Sequence, residues 1–285
     1  MHSLGSLRSM VTGKQSKSPA APLPVPGEHL NPATMPAHWL LARLGKKVMR
    51  PGGSALSDVL LSGLAIGPGD DVVDLAPALG DTVRRVEAAC PASFRGVERG
   101  KAEAERAQQL GGRRYECVVA EPEATGLPDG SASVVYGEAC LSLETDATKR
   151  AILAEAARLL RSGGRLGLHE LLLTPDDIAA EDKRRIETDL TRTVRVRARP
   201  LTLAEWTALL DEAGFKIVKV HPAPLLLLAP GAVVRDEGLG GTLRLLGRIV
   251  RQPVVLRRVA DLWKVLFQAR RSLGSVVIIA ARSDG

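Results

Sequence analysis

Blocks of apolar and polar positions follow one another along this chain in a rhythm that predicts strands and helices in turn. Short β-branched runs such as Val72–Leu75 have the length of buried strands, and the segments between them place apolar residues three and four apart. The predicted core elements are strand 72–75, helix 82–89, strand 94–97, helix 101–110, strand 115–119, strand 132–136, helix 147–160 and strand 165–172. This alternation is typical of a parallel sheet with helices on both faces.

Helical patterns extend the core at both ends. Residues 39–48 and 54–64 predict two helices on either side of the Arg50-Pro51-Gly52-Gly53 stop, and we assign residues 36–66 to an N-terminal helical cap. Later elements are predicted as helices 176–190 and 203–213 and strands 215–220 and 275–281. Between those last two strands, residues 222–272 are predicted to form a helical, basic insert or lid.

Composition places one large domain over residues 36–285. An apolar content of 45% in 285 residues is enough for a full core. The first 27 residues lack acidic side chains and are rich in Ser, Pro, Ala and Gly, so we predict a disordered tail over residues 1–35. The longest apolar runs are far shorter than the ~20 residues of a membrane span. Three cysteines without a CxxC pair indicate neither disulfides nor a zinc site, and we predict a cytoplasmic protein that binds no metal.

The charge is strongly basic and concentrated late in the chain. The net charge of +7 permits an anionic partner, but 3% aromatic content offers little stacking surface for single-stranded nucleic acid, so a nucleic-acid substrate is disfavoured. Residues 241–271 hold eight basic side chains against one acid, Asp261, with apolar residues between them. Two interpretations stay open for this unit: a lid helix packed on the sheet with a solvated basic face, or peripheral contact with an anionic membrane.

Polar residues stand where the predicted strands end. Asp74, Glu98, Glu121 and Glu138 end or follow the first four strands, and His169-Glu170 lies near the end of the fifth. Ligands of open parallel sheets bind at these carboxyl ends. Glu98 follows Gly80 by 18 residues, close to the spacing at which a carboxylate accepts hydrogen bonds from ribose hydroxyls.

The loop after the first strand separates two kinds of nucleotide cofactor. A carboxylate at Asp74 suits a cofactor that carries an ammonium group and would repel a pyrophosphate. The loop sequence Ala-Pro-Ala-Leu-Gly also lacks the glycines that let a diphosphate approach the backbone. Both points disfavour an NAD-dependent oxidoreductase.

Four segments then carry a resemblance to a known family. They read VVDLAPALGDT from Val72, FRGVERGKAEAER from Phe94, VVAEPEATGLPDGSASVVYGEACLSL from Val118 and AILAEAARLLRSGGRLGLHE from Ala151. In order and spacing they resemble the motifs of the Rossmann-like (class I) S-adenosylmethionine-dependent methyltransferases of the small-molecule, methyltransferase-11-like type, over about residues 67–173. The resemblance implies a doubly wound, seven-stranded, mostly parallel α/β sheet with an antiparallel last strand and a helical insert between the last two strands.

The resemblance also implies roles for single residues. It assigns Asp74, Ala76, Pro77, Ala78 and Gly80 to the methionine end of S-adenosylmethionine, Glu98 to the ribose, Glu121 and Pro122 to the adenine, and Arg50 to the cofactor carboxylate. Arg99 is implied as a further cofactor-binding residue. Glu138 is implied near the sulfonium. For a hydroxyl acceptor, His169 and Glu170 are the candidate general bases, with Glu138 beside them. His38 is interpreted as a residue at the start of a helix.

The departure from the family lies at Ala76 and Ala78, where its members usually have glycine. A side chain matters at such a position where φ is positive or where ligand and backbone touch, and Ala78 is the more serious change. The leading hypothesis is methyl transfer to a small, hydrophobic or lipid-like acceptor. The alternatives are a non-catalytic binding or scaffold protein on the same fold and, behind it, the oxidoreductase. The motifs specify the donor more tightly than the acceptor.

Overall fold

The structure is a computed structural model that describes residue 27, residues 29–112 and residues 114–283. Its strands are β1 Asp71–Asp74, β2 Ser93–Glu98, β3 Tyr115–Val119, β4 Ala132–Glu138, β5 Leu160–Leu173, β6 Leu201–Thr202, β7 Phe215–Pro224 and β8 Leu273–Arg282. Its helices are α1 Ala37–Arg43, α2 Gly53–Leu64, α3 Asp81–Ala88, α4 Lys101–Leu110, α5 Asp146–Leu159, α6 Ala180–Val194, α7 Leu203–Glu212, α8 Pro230–Val250 and α9 Pro253–Ala269. Among these helices none is long and apolar enough to span a bilayer.

The strands form one mixed sheet in the order β3-β2-β1-β4-β5-β8-β7. Strands β1 to β5 pair in parallel, and β8 is antiparallel to both β5 and β7. The predicted fold class is confirmed, including the helical insert between the last two long strands. The short strand β6, which pairs with β5, was not predicted. Strand order reverses between β1 and β4, which makes that gap the topological switch point of the sheet.

Both faces of the sheet are buried, as the continuous apolar strands require. On β1, Val73 belongs to one hydrophobic cluster with Val135 of β4, whereas its neighbour Val72 belongs to another with Val134. Successive side chains of a strand point to opposite faces, so each strand supplies both cores. This two-sided burial holds the carboxyl ends of the parallel strands at one edge of a rigid scaffold.

A third apolar cluster joins the N-terminal cap to the late insert. Leu40 and Leu41 of α1 pack with Leu245 of α8 and Leu262 of α9. Met35 is only 2% exposed and belongs to the same cluster. Of the tail predicted for residues 1–35, residues 1–26 and 28 lie outside the described residues. Residues 29–35 form turns that lead into α1.

Helix α1 ends at Arg43, earlier than the predicted end at residue 48. Gly45 has a φ of 98°, a backbone conformation that favours glycine and that ends the helix. The next residues are held outside helical geometry because the backbone N–H groups of Lys47 and Val48 donate to the Glu237 carboxylate of α8, at 2.8 and 3.3 Å. The apolar spacing that predicted a longer helix instead reflects burial of Leu44 and Val48 against the insert.

Candidate active site

The acids predicted at the strand ends lie along one edge of the sheet, in the order of the strands. Glu121 follows β3, Glu98 ends β2, Asp74 ends β1 and Glu138 ends β4. Asp74 and Glu138 therefore flank the switch point, and neighbouring strands lie about 4.8 Å apart. His169 is the register partner of Glu138 on β5. The topology brings together groups that are up to about a hundred residues apart in the chain.

Asp74 is a buried carboxylate at the head of the β1 loop. One of its oxygens accepts from the Tyr136 hydroxyl at 2.7 Å, and the other accepts from the Ala76 N–H at 3.1 Å. Burial raises the pKa of Asp74 to about 7, against the opposing effect of these two hydrogen bonds. A carboxylate in this environment gains from a nearby cation, because a positive charge stabilises its ionised form.

The loop itself contains a strained residue. Ala78 has a φ of 51° and Gly80 a φ of 74°, both in the left-handed region. Glycine suits position 80 because of this φ and because a Cβ there would lie 2.6 Å from the Cδ1 of Leu110 on α4. Alanine at Ala78 has no such freedom, and a left-handed non-glycine residue costs about 1–2 kcal/mol. The loop residues before Ala78 are apolar, with Ala76 half-buried and Pro77 buried.

Glu98 ties the end of β2 to this loop. Its carboxylate accepts a hydrogen bond from the Ala78 N–H. Burial raises the pKa of Glu98 to about 7, although the Ala78 hydrogen bond favours its ionised form. The two carboxylates assigned by the resemblance to the ammonium group and the ribose hydroxyls thus lie on either side of one short loop.

Arg99 and Glu121 lie at the exposed end of the row. The Arg99 guanidinium pairs with Glu121 and reaches Glu144 at 2.7 Å and Glu123 at 3.2 Å. Pro122 is buried beneath this cluster. The three carboxylates hold the pKa of Arg99 above its ordinary value in spite of partial burial. Arg99 therefore orients the acidic loop that follows β3.

Glu138 is the centre of a buried polar network. Its carboxylate accepts from the Arg50 Nε at 3.0 Å and from the hydroxyls of Ser57 and Thr82, and it lies 3.0 Å from the Nδ1 of His169. Burial by itself would raise the pKa of Glu138, but Arg50 and His169 outweigh it and hold the pKa well below its ordinary value. The network joins the cap to the sheet, because Arg50 and Ser57 belong to the cap.

His169 and Glu170 have internal partners rather than the open positions expected of general bases. His169 is fully buried, its Nδ1 faces Glu138 and its Nε2 accepts from the Gly52 N–H at 3.2 Å. The Glu170 carboxylate accepts from three successive backbone N–H groups, those of Cys140, Leu141 and Ser142, at 2.9–3.0 Å. Both side chains position neighbouring loops, and this geometry disfavours proton transfer to either one.

An apolar cavity of about 110 Å³ opens beside the end of β4. Its walls come from the cap, the loop after β4, α6, the segment after β7, and α9. They include Leu41, Ala139, Leu143, Leu190, Val194, Ala198, Leu225, Leu262 and Leu266. His38 and Ser142 are polar members of this wall. Sequence reasoning did not place His38 in this wall, since a lone histidine in a helix carries no spacing signal.

The insert fastens the cap over this region. The Asp236 carboxylate of α8 accepts from the Ser54 hydroxyl at 2.6 Å, and Glu237 accepts from the cap backbone. Lys46 lies 3.6 Å from Glu237, and both side chains are 1% exposed. We call Asp236 and Glu237 the acidic latch. It holds residues 46–54 between α8 and the carboxyl edge of the sheet.

The residues assigned on β1, β2 and β3 fit S-adenosylmethionine in kind and in order, whereas Arg50, assigned to the cofactor carboxylate, is buried in its ion pair with Glu138. The assigned adenine, ribose and methionine partners stand on β3, β2 and β1, which are neighbours in the sheet in that order. A cavity of about 360 Å³ lies between the cap and the loop, lined by Lys46, Lys47, Leu79, Gly80 and Asp81. The side chains at the switch point are carboxylates, which favour a cationic ligand.

Comparisons with known proteins relate the chain to methyltransferases. Residues 73–168 match a family profile described as a methyltransferase domain. An uncharacterized protein of Haemophilus influenzae is 29% identical over 214 residues, which cover 73% of this chain and 83% of that protein. The 27-O-demethylrifamycin SV methyltransferase of Amycolatopsis mediterranei is 30% identical over 170 residues, which cover 56% of this chain and 59% of that protein.

Solved structures share the fold. The structure of a geranyl diphosphate methyltransferase in complex with GPP and sinefungin has a TM-score of 0.60 and 18% identity, and the match covers 80% of this chain and 77% of that one. A structural match at this identity shows the fold, and the profile match over residues 73–168 indicates the family of that segment. The resemblance recognised in the four segments is confirmed: residues 73–168 match the methyltransferase-domain profile, and the fold is shared with solved methyltransferase structures.

Proposed function

We propose that this protein transfers a methyl group from S-adenosylmethionine to a small, hydrophobic or lipid-like acceptor bound in the apolar cavity. The position of that cavity carries the proposal. Its wall residue Ala139 directly follows Glu138 at the switch point of the sheet. Ligands of open α/β sheets bind at this point, so an acceptor in the cavity would lie next to the assigned cofactor site.

The assigned residues divide the work of holding the two reactants. S-adenosylmethionine, when bound, supplies a methyl group on a positively charged sulfur. Asp74 and the loop from Ala76 to Gly80 would hold its methionine end, Glu98 its ribose, and the Glu121 loop its adenine. Alignment of two reactants lowers the barrier of such reactions by about 7–11 kcal/mol. A rigid, apolar wall that holds the acceptor in place would therefore contribute to catalysis.

Arg50 and Glu138 keep the cap closed over the site in this proposal. Their 3.0 Å ion pair is buried on both sides, with side chains 3% and 1% exposed. The cap thereby excludes water from the edge where the acceptor and the cofactor would meet.

His38 is the group best placed to orient a hydroxyl acceptor. It is half-buried in the cavity wall, and burial lowers its pKa to about 4. The ring is therefore neutral near pH 7 and can accept a hydrogen bond from an acceptor hydroxyl. Ser142 offers a second polar contact on the same wall.

Calorimetric titration with S-adenosylmethionine and with S-adenosylhomocysteine is the first test. Micromolar binding supports the proposal and justifies an assay of methyl transfer to a panel of apolar alcohols, phenols and amines. Folded protein that releases no heat with either ligand contradicts it.

A cavity-filling variant tests the acceptor site separately. Ala198 is 2% exposed and lines the cavity, so Ala198→Leu should raise the acceptor KM at least tenfold while the affinity for S-adenosylhomocysteine stays the same. Ala151→Leu, on the exposed face of α5, is the matched control. Unchanged acceptor kinetics in Ala198→Leu would remove the cavity from the proposal.

A non-catalytic binding or scaffold role is the second candidate, and the strained alanine at position 78 favours it. A Cβ in the left-handed part of the cofactor loop stands where the family usually has none. Titration separates the two functions, since a scaffold of this kind would not bind the cofactor. Thermal shifts measured with NAD and with S-adenosylmethionine side by side test the oxidoreductase alternative, which the buried carboxylate at Asp74 opposes.

A further inference from the structure

The outer faces of α8 and α9 carry a concentration of exposed apolar side chains. Of the large hydrophobic side chains that are exposed in the described part of the chain, all but Val119 and Val218 lie on these two helices. On α8, four such residues follow one another at spacings of four, three and four: Leu239, Leu243, Leu246 and Val250. This spacing places them on one face of the helix.

Helix α9 continues the same pattern. Leu256, Trp263 and Phe267 recur at spacings of seven and four and are 44–49% exposed. The rings of Trp263 and Phe267 stack at 4.9 Å, and the Arg270 guanidinium lies 3.8 Å from the Phe267 ring centre. An aromatic pair with a cation above it suits the boundary between an apolar and an aqueous phase.

These exposed faces are distinct from the faces that fold the insert. Leu245 and Ile249 of α8 and Val255 and Leu262 of α9 are buried against the cap. The insert therefore has its own core, and the outer residues are not needed for it. A monomer that leaves so many large apolar residues together in water has an interaction surface there.

Cations border this apolar surface. Arg244, Arg251, Arg257, Lys264, Arg270 and Arg271 are exposed on the two helices or directly after them. Two further arginines are used internally: Arg248 donates to the Leu44 carbonyl, and Arg258 donates to the carbonyls of Pro32 and Met35. Only Asp261 opposes them within residues 241–271.

We propose that the outer face of α8 and α9 docks on an anionic phospholipid bilayer. Apolar side chains that enter the headgroup region and cations that meet lipid phosphates are the two contributions that bind interfacial amphipathic helices. A second copy of this chain would bring the same cations face to face, and a nucleic acid would leave the apolar stripes unmatched.

The docked orientation places the acceptor cavity on the membrane side. Leu262 and Leu266 of α9 line that cavity from within, directly beneath the proposed docking face. A lipid-like acceptor would then reach the site from the bilayer without crossing water. The docking surface is separate from the residues assigned to the cofactor, so it is tested by binding to vesicles and needs no activity.

Sedimentation of the full chain with lipid vesicles is the test. We expect binding to vesicles that contain phosphatidylglycerol, at least tenfold weaker binding to pure phosphatidylcholine, and release as the salt concentration rises from about 0.1 to about 0.5 M. The double variant Leu243→Ser/Phe267→Ser should lose at least tenfold in partitioning. Val218→Ser, which changes a residue that is 69% exposed on β7, is the matched control and should bind as the native chain does.

Trp263 gives a second readout. Its emission should shift to the blue on anionic vesicles, and Trp263→Phe should remove most of that shift. Unchanged titration with S-adenosylhomocysteine and an unchanged melting temperature show that each variant is folded. The proposal is overturned if the folded native chain does not bind anionic vesicles or if the double variant binds equally well. It is also overturned if light scattering shows self-association that Leu243→Ser abolishes, which would assign the face to a second copy.

Discussion

Ala78 is a single residue whose backbone conformation conflicts with its side chain. Its φ of 51° lies where glycine is favoured, and its N–H still donates to Glu98. The loop adopts this shape because Gly80 and the ends of β1 and α3 dictate its course. The strained conformation of Ala78 therefore lowers the stability of the fold, and the surrounding loop structure maintains it.

The variant Ala78→Gly should be more stable than the native chain. Relief of about 1–2 kcal/mol of strain exceeds the added entropy of an unfolded glycine, about 0.5–1 kcal/mol, so the free energy of unfolding in urea should rise by about 0.5–1 kcal/mol. Ala65→Gly, at a φ of 47° after α2, is the control for strain relief away from the site. We expect Ala78→Gly to keep or improve affinity for S-adenosylhomocysteine. Loss of affinity would mean that the Ala78 side chain contacts the ligand.

Asp74 should make cofactor affinity depend on pH. Its pKa near 7 in the free protein means that it must lose a proton to pair with the ammonium group of the ligand. Affinity for S-adenosylhomocysteine should therefore be constant above pH 7 and fall as the pH drops from 7 to 5.5, by up to about tenfold per unit for one proton. Calorimetry across this range measures the slope.

The variant Asp74→Asn is the control for that dependence. It should bind S-adenosylhomocysteine more weakly at pH 8. The dependence of affinity on pH should be smaller by one proton, with Glu98 as the remaining titrating group. A slope equal to that of the native chain would exclude Asp74 as its source.

The cap and α8 meet through the acidic latch, which acts at the level of whole elements. Glu237 of the latch accepts hydrogen bonds from the backbone N–H groups of Lys47 and Val48. In a longer α1 these groups would instead have bonded to carbonyls of the helix. Lys46 is buried beside Glu237 without a closer hydrogen-bonding partner. The position of the cap over the site thus depends on a pair of buried charges.

Glu237→Gln should loosen the cap. The change removes the nearer of the two carboxylates that stabilise the buried Lys46 charge, Glu237 rather than Asp236, which costs about 1–3 kcal/mol, and limited proteolysis should cut residues 44–54 faster. The double variant Lys46→Met/Glu237→Gln should recover part of the stability, because it also removes the buried Lys46 ammonium group. Glu212→Gln, which breaks an exposed pair with Arg150, is the control. Equal proteolysis rates in Glu237→Gln and the native chain would show that the latch does not hold the cap.

The stability of the whole molecule should respond to pH through the same edge of the sheet. Asp74 and Glu98 have pKa values near 7 in the folded chain and well below that when unfolded. The folded state therefore holds more protons between pH 6 and 8, and stability falls as the pH rises through this window. Glu138 has the opposite sign: its lowered pKa stabilises the fold above the unfolded value of 4.5, and that contribution is lost at lower pH.

Urea unfolding should accordingly show a chain about 1–2 kcal/mol more stable at pH 6 than at pH 8 without ligand. His38 offsets a small part of this gain, because its pKa of about 4 lies below that of an unfolded histidine. Asp74→Asn should reduce the difference by removing one of the two carboxylates. Stability that rises steadily from pH 6 to pH 8 would contradict the assigned pKa shifts.

Most of the fold could be predicted from local sequence patterns, because strands and helices are encoded by residues close together in the chain. The alternation of β-branched runs with helical spacing predicted the parallel core, and helix α4 and strand β3 have their predicted bounds. The order of polar residues at strand ends also predicted that the candidate residues meet at one edge of the sheet, as they do in the structure. Parallel strands place their carboxyl ends together, so this step needs no long-range information.

Contacts between distant segments decided the features that local patterns did not predict. The end of α1 depends on Glu237, nearly two hundred residues away, and no pattern near Val48 reports that hydrogen bond. His169 and Glu170 stand where a base would be useful, but backbone groups of the cap and of the loop after β4 occupy them. The apolar cavity exists only because α1, α6 and α9 meet. The sequence alone determined the sheet and predicted the edge at which the candidate residues meet, whereas tertiary packing decided which polar groups are satisfied internally and where an apolar cavity opens.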